Sequence, residues 1–101
     1  MKPIRLSEHV EFRSSERTKK MLIRTPTFNA MQICLDAGQE IPPHPEDYSV
    51  LFYVIGGNGT ITTAEGAWDV QADDIVLVGK GEVRGIVAKT RMRVLGIQEP
   101  H

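Results

Sequence analysis

The chain lacks most of what would announce a particular chemistry. One cysteine, Cys34, occurs in 101 residues, which excludes a disulfide framework, a CxxC redox pair and a cysteine-rich zinc site. A lone thiol agrees with a reducing compartment. Charge of one sign is missing too: 12 Lys and Arg stand against 13 Asp and Glu, net −1, so there is no basic footprint for nucleic acid. No apolar run approaches the roughly 18 residues that a membrane span requires. The N-terminal MKPIRLSEHVEFRSSERTKK has no apolar core region, so it is not read as a signal peptide. Together these absences predict a cytoplasmic protein with no nucleic-acid or membrane partner. GxSxG, P-loop and dinucleotide-binding glycine patterns are absent, and no histidine near Cys34 completes a nucleophile pair. Cys34 is expected to be a small buried apolar residue. An amphipathic helix is lacking as well.

What remains is strand. With 41% hydrophobic and 25% charged residues, the chain has the makings of one domain with one modest core. Residues 1–20 carry few apolar anchors (Ile4, Leu6, Val10 and Phe12). They read as an N-terminal arm, either mobile or an edge or dimer-swapped strand, with a turn of helix near Leu6–Val10 and SSERTKK as a solvated loop. The folded domain is expected over 21–101. Strand texture starts at MLIRT and continues through FNAMQICL, where Met31, Ile33 and Leu35 alternate with Gln32, Cys34 and Asp36, the period of a half-buried strand. Pro42 and Pro43 hold the next segment extended. Val50–Ile55 is a continuous apolar run, read as a strand buried on both sides.

Gly56-Gly57-Asn58-Gly59 is read as a hairpin turn, because Gly and Asn tolerate positive φ. Further turns at Glu65-Gly66, Asp73-Asp74, the GKGE run and Lys89-Thr90 separate TITT, AWDVQ, IVLV and the last two strands. Roughly eight to ten short strands with turns every 8–12 residues predict an all-β sandwich or barrel. A closed barrel lined by VLFYVI and IVLV is favoured, since an open meander would leave long apolar edges.

With the strands placed, two segments resemble the conserved motifs of the cupin superfamily. The first motif has a glycine, five residues, His-x-His, three or four residues, Glu, and about six more to a glycine. Here Gly38 is followed by five residues and His44, and YVIGGNG matches the motif's strand and turn. The second motif has a glycine, five residues, Pro-x-Gly, two residues and His. DDIVLVGKGEVRG, residues 73–85, overlays it, with Asp73 at the first glycine, Gly79 at the proline and Gly81 at the next glycine. The resemblance covers about Met21 to Pro100 and implies a double-stranded β-helix, the cupin or jelly-roll barrel. It also implies a homodimer, often formed through N-terminal strands.

In metal-binding cupins three histidines and a glutamate hold the ion. At those four positions this chain has His44, then Glu46, then Val50 or Leu51, then Arg84. His44 and Glu46 are thus the candidate metal ligands for Zn, Ni, Mn or Fe, with Asp47 as a third donor only if the strand bulges. Arg84 brings donors and a fixed positive charge, which suit a carboxylate or phosphate rather than a cation.

In an extended segment His44, Glu46, Tyr48 and Val50 share a face, and the resemblance turns that face inward. His44, Glu46, Tyr48 and Arg84 are therefore the candidate ligand-binding residues, and a Glu46–Arg84 ion pair is expected in place of the metal. Tyr53 and Trp68 read as core or subunit contacts, and His9 and His101 as terminal residues. The first functional expectation is a barrel that binds a small anionic or sugar-like molecule without metal redox chemistry and without a cofactor. The alternative is a metal-dependent dioxygenase, isomerase or lyase with an atypical ligand set, and a metal-free isomerase using His44 and Tyr48 is a further variant.

Overall fold

Short apolar–polar alternation punctuated by turns leaves little room for helix. In the computed structural model, which describes Met1–His101, the only helical element is a 3₁₀ turn, Leu6–His9. Nine strands follow: β1 (Thr18–Arg24), β2 (Asn29–Leu35), β3 (Glu40–Pro45), β4 (Val50–Gly56), β5 (Asn58–Thr63), β6 (Gly66–Gln71), β7 (Ile75–Val78), β8 (Val83–Ala88) and β9 (Met92–Gln98). They form two antiparallel sheets, ordered β1-β2-β9-β4-β7 and β3-β8-β5-β6. Only β1–β2 and β5–β6 are hairpins; every other connection crosses from one sheet to the other, so the all-β architecture that the strand spacing predicts takes the jelly-roll form that the motif resemblance implies.

The core lies between the sheets. Thirteen buried residues form it, among them Ile33, Leu35, Val50, Phe52, Val54, Ile61, Ile86, Met92 and Val94. Leu35, Val54, Ile61, Met92 and Val94 are fully enclosed, and complete burial of such a side chain contributes roughly 1.5–3 kcal/mol.

Two strands depart from their expected exposure, in opposite directions. β4 is not buried on both sides: Val50, Phe52 and Val54 face the core, while Leu51, Tyr53 and Ile55 are only partly covered. Its outer face has no second layer over it. β7 is similar, with Val78 buried and Ile75 and Leu77 exposed. β2, expected to be half-buried, is buried at every residue. The N-terminal arm covers its outer face, and the Gln32 Nε2 amide donates to the carbonyls of Leu6 and His9 at 3.0 Å each. The arm is held further along as well, where the Arg91 guanidinium lies 4.7 Å from the centre of the Phe12 ring. Thr18–Lys20, expected in a loop, begin β1 at the edge of the five-stranded sheet.

Gly56–Gly59 is not a hairpin. It carries the chain from β4 in one sheet to β5 in the other. The glycine is required there by contact as much as by conformation. Gly57 has φ +79°, and a Cβ at this position would sit 1.8 Å from the Arg91 carbonyl oxygen. Gly38, with φ +85°, has open space around it. Gly38→Ala should therefore cost about 1 kcal/mol for the left-handed backbone alone. Gly57→Ala should cost about 3 kcal/mol or more because the backbone must also move. Urea denaturation of both variants checks the difference, and equal costs would contradict the close approach.

Candidate functional site

The site is built where β1 and β3, the edge strands of opposite sheets, flank the gap between the layers. β1 alternates along Arg17, Lys19 and Met21: Met21 packs on the core, while Lys19 and Arg17, both exposed, continue the same face outward. Arg17 Nη1 donates to the Glu40 carbonyl at 3.2 Å, tying the start of β1 to the start of β3. Beneath lies a cavity of about 130 Å³, lined by Arg17, Lys19, His44, Arg84, Gly85 and the apolar side chains Met31, Ile33, Ile41, Phe52 and Ile86. No carboxylate lines it.

Arg84 is the structural centre. β8 pairs with β3 so that Arg84 lies opposite His44, and its side chain is 4% exposed. Nη2 donates to the carbonyls of Tyr48 at 2.8 Å, Gly79 at 3.1 Å and Glu82 at 3.2 Å, and Nε reaches Glu82 at 3.3 Å. The guanidinium carbon lies 5.1 Å from the centre of the Tyr48 ring, within cation–π range. Nη1 is buried with no hydrogen-bond partner. Burying an ion costs several kcal/mol, and hydrogen bonds to charged groups return roughly 1.5–3 kcal/mol each. The carbonyls solvate this cation; no anion neutralises it.

The expected Glu46–Arg84 ion pair is not formed. β3 ends at Pro45 and the chain bends at Asp47–Tyr48, so the period-two face expected through Val50 breaks after His44. Glu46 turns toward His44, with Oε1 3.9 Å from Nε2. Asp47, on the outside of the bend, faces Lys80 at 3.6 Å. Of the expected ligand-binding residues, His44 and Arg84 line the cavity, and Glu46 and Tyr48 lie beside it.

His44 Nδ1 is 2.8 Å from the Pro42 carbonyl, which can only accept, so the hydrogen sits on Nδ1 and Nε2 faces away from that bond. Tyr48 is buried, and its ring stacks on His101 with centroids 3.9 Å apart. Burial pushes the Tyr48 phenol above its ordinary value, and the Glu46 carboxylate adds to this.

The donor set does not fit a family-style metal. No group of three His, Cys, Asp or Glu side chains converges anywhere in the chain. His44 and Glu46 supply two donors, and the fixed charge of Arg84 stands opposite His44. Arg17 and Lys19 were not foreseen as site residues. Their signal was the alternation of Arg17, Lys19 and Met21, hidden inside a run that reads as a solvated loop.

The cupin domain family model matches residues 31–97. The structure is similar to an RmlC-like cupin protein from Desulfovibrio desulfuricans, with 22% identity, coverage of 99% of this chain and 97% of that one, and a TM-score of 0.89. A Thermus thermophilus protein gives a TM-score of 0.92 at 14% identity, covering 99% and 98% of the two chains. An uncharacterised conserved protein with a double-stranded β-helix domain from Klebsiella pneumoniae gives 0.89 at 19% identity, covering 99% and 90%. At these identities the likeness establishes the fold. A search of curated proteins by sequence gives no match.

The raised Tyr48 phenol has a pH consequence. Above the ordinary value near 10, the unfolded chain loses a proton that the folded chain keeps. Stability from this source is therefore whole below about pH 10 and is lost as pH rises through the folded value. Tyr53 is also raised, by its hydrogen bond to Asp73, so the comparison belongs in a Tyr53→Phe background. There, adding Tyr48→Phe should reduce the loss of stability between about pH 9 and about pH 11 in urea denaturation. An unchanged alkaline loss would count against a buried phenol.

Proposed function

The chain belongs to the cupin family, and we propose that its barrel binds a small anionic molecule without a family-style metal. The observation that carries this reading is the cavity wall: Arg17, Lys19 and Arg84 line it, none has a carboxylate within salt-bridge distance, and no acid joins them. A buried guanidinium held only by carbonyls is stabilised further by an anion, and Arg suits carboxylate and phosphate. The five apolar side chains lining the cavity suit a carbon skeleton. His44 Nε2 supplies one further polar contact. Arg84 to carboxylate, His44 Nε2 accepting from a hydroxyl, and Ile33, Ile41 and Ile86 to the skeleton is the arrangement we favour.

We further propose a homodimer formed through the outer face of the five-stranded sheet. In register, Leu51 lies between Ile97 and Leu77, and Tyr53 between Leu95 and Ile75. Ile75, Leu77 and Ile97 are exposed. A contiguous apolar patch of this kind marks interaction surfaces, and a two-fold pair would cover it on both copies. No helix is long and apolar enough to cross a membrane, and the free, buried Cys34 is in keeping with the cytoplasmic location that we propose.

Isothermal titration with short organic acids should give saturable binding, and Arg84→Met should weaken it by at least about tenfold, the scale of one charged hydrogen bond. No binding by any acid, or stoichiometric Fe, Mn or Zn in dialysed protein, would contradict the reading. Light scattering at micromolar concentration should give twice the chain mass, and Leu77→Asp should give the monomer. A monomeric parent would overturn the dimer.

A further inference from the structure

Resting on the anion-binding reading, we infer that the cavity's ligand carries two separated acidic groups, a short-chain dicarboxylate. The cations lie on opposite walls. Arg84 belongs to the four-stranded sheet and is buried; Arg17 and Lys19 belong to the β1 edge of the five-stranded sheet and are exposed. Arg84 spends Nε and Nη2 on three carbonyls, so Nη1 is the guanidinium nitrogen left without a partner. Enclosed by protein atoms, it meets a single acidic group once the guanidinium turns toward the cavity.

A monoanion held there leaves Arg17 and Lys19 uncompensated at the mouth. They are also arranged rather than loose. Lys19 pairs in register with Ile33, a cavity residue, and Arg17 is fastened to the Glu40 carbonyl across the gap between the sheets. Met31, Ile33, Ile41, Phe52 and Ile86 supply an apolar lining alongside the two charged loci, which suits methylene groups. A cavity of about 130 Å³ lies below the roughly 300–1,000 Å³ of pockets that take drug-sized ligands. That scale fits a dicarboxylate of a few carbons and is small for a nucleotide.

Titration calorimetry with succinate, butyrate and inorganic phosphate tests the inference. They are matched for chain length in the first two and for double charge without separation in the third. Succinate should bind at least about tenfold more tightly than either, one exposed-to-half-buried charge contact being of that order. The double variant Arg17→Ser, Lys19→Ser, on an exposed strand edge, should weaken succinate far more than butyrate and so erase the gap between them. Arg84→Lys should weaken both acids together, and it keeps the charge if Arg84→Met does not fold. Equal affinity for succinate and butyrate, or phosphate binding as tightly as succinate, would overturn the two-ended ligand and leave the anion site standing. No binding of any of the three would remove both.

Discussion

The arrangement turns on one buried cation. Arg84 is enclosed between the sheets, and its guanidinium gathers the carbonyls of Tyr48, Gly79 and Glu82. Tyr48 lies in the β3–β4 connection, and Gly79 and Glu82 are the two ends of the β7–β8 connection, so one side chain fixes two chain connections at the same end of the barrel. Arg has the geometry for this: a rigid planar fork with several donors and a charge that does not leave. The same group sets the electrostatics of the cavity. With carbonyls as its only protein acceptors and no carboxylate in reach, it repels a divalent cation and attracts an anion.

The surrounding residues follow from that charge. Tyr48 offers its ring face to the guanidinium and its carbonyl to Nη2, and its burial keeps the phenol protonated. His44 is set opposite Arg84 by the β3–β8 register, with its Nδ1 hydrogen committed to Pro42. Glu46 is carried away from Arg84 by the end of β3. The cavity lining holds three cationic side chains and no carboxylate.

Much of the fold was legible in the sequence because turns and apolar periods are local. The strand texture of Met31–Leu35, Val50–Ile55 and Ile75–Val78 lies in the strands observed, and that of Arg91–Ile97 matches β9 to within one residue at each end. What periodicity does not report is which face a neighbour covers. Gln32 looks like the wet side of β2, yet the N-terminal arm lies over it. Leu51 and Tyr53 look like core, yet on the outer face of β4 they are only partly covered. Gly56–Gly59 has hairpin composition, and its glycine serves a close passage beside Arg91 that only the three-dimensional path creates. At the site, motif position located His44 and Arg84. It missed the bend that removes Glu46, and a charged run concealed the alternation that brings Arg17 and Lys19 to the mouth. Residues joined by long-range register, as Arg84 is to His44, are found from the motif; residues arriving from an edge strand are not.

The most direct measurement is nitrogen-detected NMR of the arginine side chains during titration with succinate. The account predicts that the Arg84 guanidinium resonances shift and saturate with the binding isotherm, with Arg17 following. Binding that leaves Arg84 unperturbed, or perturbs only arginines remote from the cavity, would contradict it.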